Sequence, residues 1–262
     1  MTDTSDKVVI VSGGSTLIGQ KIAEAFHSHG ARIIVADINT EDGANFVSSF
    51  DDRVIFQKTD ITIDNEIDAC IERAVDSFGG VDYLVNVACT YLDNGAASSR
   101  EEWLSAFNIN VVGAMIFAQK AAVEMQKRGG GAVVNFGSIA AKRAQPGRML
   151  YATSKAAILG MTRCQALAFA DMGIRVNSVS PGWTWSNVIR DFSGNNRSKA
   201  DAVAEPFHIN GRLVDAEEVA STVYYLCSEA ASGINGTDVA IDGGYTAIGP
   251  EQKTDKVASL AD

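Results

Sequence analysis

The sequence predicts an α/β fold, a doubly wound parallel sheet of about seven strands with helices on both faces. Three observations predict it. Short β-branched runs alternate with longer helical patterns up to about residue 245. The short runs are nearly continuously apolar, as strands covered on both sides are. The first run ends in a glycine-rich turn that leads directly into a helix.

In chain order the strands read VVIVS, ARIIVA, RVIFQ, DYLVN, GAVVNF, IRVNSVS and DVAID. Helical patterns occupy residues 18–29, 40–49, 64–78, 99–128, 150–172 and 215–228. Thr62 or Asp64 is the expected cap of the third helix, Ser99 with Glu102 forms a capping box for the fourth, and Asp215 precedes an acidic first turn in the last. Residues 183–211 form a connection far longer than the usual few residues, which predicts a substrate loop or lid. Residues 249–262 are charged and unpatterned, and read as a mobile tail. No repeat or linker divides the chain, so residues 1–262 are taken as a single domain.

A composition of 46% hydrophobic and 21% charged residues suits a globular core and not a disordered chain. The net charge of −10 excludes the clustered basic footprint that nucleic acid requires. No apolar run reaches the roughly 18 residues of a membrane span. The start MTDTSDK is unlike a secretory signal, so a cytoplasmic protein is expected. Cys70, Cys89, Cys164 and Cys227 form no C-x-x-C pair and sit in apolar stretches, so they read as buried thiols, with no metal site.

The turn Ser12-Gly13-Gly14-Ser15-Thr16-Leu17-Ile18-Gly19 delivers the chain to a helix N-terminus, where backbone N–H groups and the helix dipole favour a pyrophosphate. Asp37 ends the second strand, where a dinucleotide fold places the acid that accepts from the adenosine ribose hydroxyls. With Ile38 and Asn39 after it, no cation is at hand for a 2′-phosphate, so NAD is expected over NADP. Tyr151 and Lys155 share one helix face, and an ammonium beside a phenol favours phenolate and brings its pKa toward the working range. Asn110 lies in the apolar stretch INVVGAM; an amide buried there needs partners, which predicts a helix distortion and a bound water.

Gly13 to Gly19, Asp37, Asp60, Asn86, Asn110, Ser138, Tyr151-x-x-x-Lys155 and Pro181-Gly182 occur together in the order of the short-chain dehydrogenase/reductase family. The chain resembles that family, and in length and spacing its classical subgroup, over roughly residues 6–247. The resemblance implies a Rossmann-type sheet and a single dinucleotide-binding and catalytic domain. It implies that Tyr151 is the acid/base, that Lys155 lowers its pKa and holds the nicotinamide ribose, that Ser138 orients the substrate oxygen, and that Asn110 supports a water relay. For the cofactor it implies Gly13, Ser15, Leu17, Ile18 and Gly19 at the pyrophosphate, Asp37 and Ile38 at the ribose, and Asp60 and Ile61 at the adenine. Asn86 and Ala88 would line the cleft, and Pro181, Gly182 and Thr184 would face the nicotinamide beside Tyr151 and Lys155. It further implies a homotetramer, with the helices at 99–128 and 150–172 packed across a two-fold axis.

The sequence departs from the family pattern at Leu17, where the middle glycine is expected, and at Asn86-Val87-Ala88-Cys89, where the pattern is Asn-Asn-Ala-Gly. These departures motivate a competing reading, a nucleotide-sensing or interaction protein that does not turn over. A further alternative, an NADP-dependent ketoreductase, is opposed by Asp37. The favoured reading is hydride transfer between NAD(H) and a secondary alcohol or ketone, with a small-molecule substrate. Trp183, Trp185 and Phe192 open the long connection; either they anchor it to the core or to a neighbouring subunit, or at least one of them walls the pocket for a cyclic or bulky substrate, with Met149 and Leu150 adding apolar surface opposite.

Overall fold

The computed structural model describes residues 4–250, 252–255 and 258–260. Seven strands form one sheet: β1 (Val8–Ser12), β2 (Arg32–Asp37), β3 (Val54–Lys58), β4 (Tyr83–Asn86), β5 (Gly131–Phe136), β6 (Ile174–Pro181) and β7 (Asp238–Ile241). Their order is β3-β2-β1-β4-β5-β6-β7 and every pair is parallel. The order reverses between β1 and β4, which opens a crevice at the carboxyl ends of these two strands. The helices are α1 (Leu17–Ser28), α2 (Thr40–Val47), α3 (Asp64–Phe78), α4 (Arg100–Phe107), α5 (Ala114–Lys127), α6 (Met149–Ala168), α7 (Asn187–Phe192), α8 (Arg197–Ala204) and α9 (Ala216–Cys227).

The two-residue period of a strand divides the core in two. Val9 and Val11 of β1 pack with Ile22 and Phe26 of α1 and with Val219 and Val223 of α9. Val8 and Ile10 face the other way, onto Ile67 and Cys70 of α3 and Phe117 and Ala121 of α5. Each fully buried Val, Ile or Phe among them contributes about 1.5–3 kcal/mol. Because both faces of the central strands are covered, the polar side chains they carry are buried and hydrogen-bonded, as Asn135 is to Thr162 and Gln165 and Ser178 to Asp238.

Helix ends follow local chemistry. Ser99 and Glu102 form the expected capping box of α4, and Asp215 and Glu218 form one on α9. On α3 the expectation fails: Ile63 holds the cap position without a side-chain bond. Asp64 is already within the first turn, and the Thr62 hydroxyl instead donates to Asp60 Oδ1 at 2.7 Å. The helix predicted over 99–128 runs from Arg100 to Lys127 but widens into a π turn at Asn108–Gly113. It is long and apolar enough by composition to cross a bilayer, yet Phe117, Ala118, Ala121, Ala122 and Met125 are buried in this fold.

Residues 183–211 are not an open loop but carry α7, α8 and a short turn at Glu205–Phe207. Arg197 ties α8 to the start of α9 through Asp215 Oδ1 at 2.6 Å, and Asp201 Oδ2 accepts from its Nε at 2.9 Å. The expected tail at 249–262 lies partly outside the described residues; within them Lys253 Nζ reaches Glu205 Oε1 at 3.4 Å. The cysteine expectation needs correction. Cys70 and Cys227 are buried, but Cys89 is half-buried and Cys164 is exposed on the outer side of α6, because an apolar neighbourhood in sequence does not set which helix face a residue occupies.

Candidate active site

Six consecutive strands deliver their carboxyl ends to one cavity of about 1140 Å³. Gly13 and Ser15 follow β1, Asp37 ends β2, Asp60 and Ile61 follow β3, and Ala88 and Cys89 follow β4. Ser138 follows β5, while Pro181, Gly182, Trp183 and Thr184 come at and after the end of β6. Tyr151 and Lys155 enter from the first turns of α6.

The glycine-rich turn is shaped by close approach. Gly13 has φ +69°, and a Cβ there would lie 2.7 Å from the backbone nitrogen of Ala88, so no side chain fits. The Asp37 carboxylate grips the same turn: Ser15 N–H donates to Oδ2 at 3.1 Å and Asn39 N–H to Oδ1 at 3.0 Å. Ile18 and Ile38 add apolar lining. Asp60 accepts from the Thr62 backbone N–H at 2.9 Å as well as from its hydroxyl, which fixes the wall beside Ile61. These residues fit a dinucleotide: a cradle without side chains at a helix N-terminus, a carboxylate for a ribose, and room for both nucleotides and a substrate.

Several expected contacts fall elsewhere. Leu17 and Gly19 do not line the cavity. Leu17 is the first residue of α1 with negative φ, so its branched side chain is accommodated, and its N–H donates to Asn187 Oδ1 at 2.8 Å. Gly19 packs against Gly13 and Gly14 and lets the turn close on the helix. Asn86 is likewise behind the wall, where its amide donates to Asn135 Oδ1 at 3.0 Å and Ala114 O at 3.2 Å; Val87 lines the cavity in its place.

Tyr151 and Ser138 line the cavity together, and the Tyr151 ring lies 5.6 Å from Lys155 Nζ. Lys155 is buried and donates to Phe136 O at 2.8 Å. Burial pushes the Tyr151 phenol well above its ordinary value and Cys89 pushes it further, while the Ser138 hydroxyl, the Arg148 charge and Tyr91 oppose the shift. Asn110 sits in the π turn as its sequence context predicts. Its Nδ2 donates to Thr90 O and to Ser154 Oγ, and its Oδ1 accepts from Thr90 N–H at 2.7 Å, so it pins the segment after β4 to α6.

The aromatic expectation resolves residue by residue. Trp183 lines the cavity with Phe207 and Tyr245, at ring separations of 5.3 and 6.3 Å. Trp185 does not; it packs against Ala200, Ala204 and Leu213 under the Arg197 guanidinium. Phe192 is 82% exposed. Met149 is exposed and Leu150 fully buried, and neither lines the cavity. Sequence reasoning missed Tyr91 and Arg148, which do line it. Tyr91 stacks on Tyr151 at 5.1 Å and 21°.

Residues 15–246 match the family model described as enoyl-(acyl carrier protein) reductase. The chain is 30% identical to the cis-4-hydroxycyclohexanecarboxylate dehydrogenase of Sinomonas cyclohexanicum, covering 93% of this chain and 98% of that one. A solved 7α-hydroxysteroid dehydrogenase complexed with NADH and 7-oxo glycochenodeoxycholic acid is 28% identical, with a TM-score of 0.85 over 92% of this chain and 94% of that chain. L-sorbose reductase from Gluconobacter frateurii, complexed with NADPH and L-sorbose, is 28% identical with a TM-score of 0.85, over 93% and 98% of the two chains. The chain belongs to the short-chain dehydrogenase/reductase family, oxidoreductases that transfer a hydride with a nicotinamide dinucleotide.

Proposed function

We propose that this protein is an NAD-dependent dehydrogenase of bulky, cyclic secondary alcohols. The observation that carries the reading is the meeting of Tyr151, Ser138 and Lys155 with the Trp183 wall in a cavity whose far end is held by Asp37. The dinucleotide, when bound, accepts or supplies the hydride. Tyr151 takes the proton from the alcohol oxygen in oxidation and returns it in reduction. Ser138 holds that oxygen against Tyr151. Lys155 holds the nicotinamide ribose, and Asn110 keeps the Thr90 segment and α6 in register while supporting the proton path.

Gly13, Ser15 and Ile18 bind the pyrophosphate. Asp37 accepts from the adenosine ribose and repels a 2′-phosphate, which selects NAD. Residues 183–211 act as the lid, with Trp183 as its pocket face. The exposed apolar side chains Leu104, Val112, Val123 and Leu167 on α4, the π turn, α5 and α6 support the homotetramer.

The test is NADH absorbance with NAD or NADP across cyclohexanols, aryl alcohols, 2-propanol and polyols. Preferred turnover of cyclic alcohols with NAD supports the reading. Binding of NAD without turnover of any alcohol refutes catalysis and favours the sensing alternative. Preference for polyols refutes the substrate class.

A further inference from the structure

The substrate end of the cavity holds a cation that no acid answers. Arg148 lies three residues before Tyr151, and its guanidinium carbon sits 5.9 Å from the Tyr91 ring centroid and 5.7 Å from that of Tyr151. Cation–π contact with the stacked pair fixes the guanidinium in the cavity wall. Among the described residues, none forms a hydrogen bond or ion pair with it. The carboxylate on the neighbouring segment, Asp93, is engaged by backbone: its Oδ1 accepts from Gly95 N–H at 2.8 Å and its Oδ2 from Tyr151 N–H at 2.7 Å. The other lining cation, Lys155, donates to Phe136 O and, in the reading above, serves the nicotinamide ribose. The lining acids Asp37, Asp42 and Asp60 belong to the segments at the ends of β2 and β3, across the crevice.

A half-buried guanidinium keeps its charge and presents a planar fork of donors, the geometry that matches a carboxylate. The same cavity is lined by Trp183, Phe207 and Tyr245, which offer rings and no charge. A phosphate ester carries nearly two charges near neutral pH and calls for more than one cation, whereas a carboxylate is answered by one.

We propose that Arg148 is a carboxylate receptor, and that the substrate is a cyclic alcohol bearing a carboxylate, held by Arg148 at one end while Tyr151 and Ser138 hold the hydroxyl. The substrate assignment rests on the hydride-transfer reading; the receptor does not.

The test pairs 4-hydroxycyclohexanecarboxylate with its methyl ester in the wild type, Arg148→Met and Arg148→Lys. The wild type favours the acid by about ten- to a hundredfold in kcat/KM, the worth of hydrogen bonds to a charged group. Arg148→Met brings the ratio near one through KM for the acid, and Arg148→Lys keeps part of the preference. Any effect of Arg148 on the Tyr151 phenol acts on both substrates and cancels in the ratio. A wild-type ratio near one, or a ratio unchanged in Arg148→Met, overturns the proposal. Calorimetric titration of cyclohexanecarboxylate and cyclohexanecarboxamide gives a readout without turnover. Tighter binding of the acid, lost in Arg148→Met, supports the receptor even if no alcohol is oxidised, in which case the hydride-transfer reading fails together with the substrate assignment that rests on it. Equal binding of acid and amide refutes the receptor while leaving that reading intact.

Discussion

Asp37→Ala strips from the end of β2 a carboxylate that accepts the Ser15 and Asn39 amides at 3.1 and 3.0 Å. In the proposed enzyme the same group excludes a 2′-phosphate. At ~4 Å and an effective dielectric constant of ~20, each unit of negative charge on that phosphate costs about 4 kcal/mol. One such unit corresponds to roughly three powers of ten in kcat/KM. The alanine variant loses that penalty and gains on NADP. It also loses the ribose bonds and the grip on the glycine turn, each charge-assisted bond being worth about 1.5–3 kcal/mol, so NAD falls by at least about tenfold. The NAD-to-NADP preference therefore drops from about a thousandfold or more to within about tenfold. Initial rates by NADH and NADPH absorbance with one alcohol measure it. Equal use of both cofactors by the wild type, or an unchanged preference in the variant, would refute the reasoning.

Tyr151→Phe removes the transferable proton but little shape, so kcat falls by about 10²–10⁴-fold with NADH affinity nearly unchanged; a fluorescence titration alongside the rates checks both parts. Trp183→Ala raises KM for cyclic alcohols more than for 2-propanol, by tens- to a hundredfold at about 1–3 kcal/mol of lost contact. Trp185→Ala instead lowers Tm without sorting substrates, since it packs under α8; a larger substrate effect at Trp185 than at Trp183 contradicts this placement. Burial pushes the Cys70 and Cys227 thiols from 9.0 up to about 12, so their contribution to stability is complete below pH 9 and is lost as pH rises from 9 to 12. Denaturant midpoints across that interval should fall, and a Cys70→Ala/Cys227→Ala chain should show a flatter alkaline limb.

The strands were legible to within a residue because the central ones are covered on both faces and read as largely apolar runs bounded by turns. Asn110 was legible as well: an amide among INVVGAM signals a helix that cannot stay regular, and the π turn is there. Arg148 and Tyr91 were not. They lie on segments following different strands and meet only because β4 and β5 are neighbours in the sheet, a fact no local pattern carries. Nor could spacing separate Trp183 from Trp185; the backbone pairing of Trp183 O with Val214 N–H and of Trp185 N–H with Val214 O runs this segment beside Val214, and the two rings take different surroundings. Asn86 was misplaced for a related reason, since its partners Asn135 and Ala114 come from β5 and α5.

The π turn has a consequence for how this chain can vary in length. Each helical residue advances the side-chain direction by about 100°, and a wide turn absorbs one extra residue. On its N-terminal side the turn aims Asn110 at Thr90 and Ser154; on its C-terminal side α5 turns Phe117, Ala121 and Met125 into the core beneath the sheet. A one-residue deletion between Asn108 and Gly113 would therefore close the turn into regular helix with α4 and α5 still in phase, while Asn110 loses the widened position from which it reaches Thr90 and Ser154. The core thus tolerates a change of chain length here that the site does not.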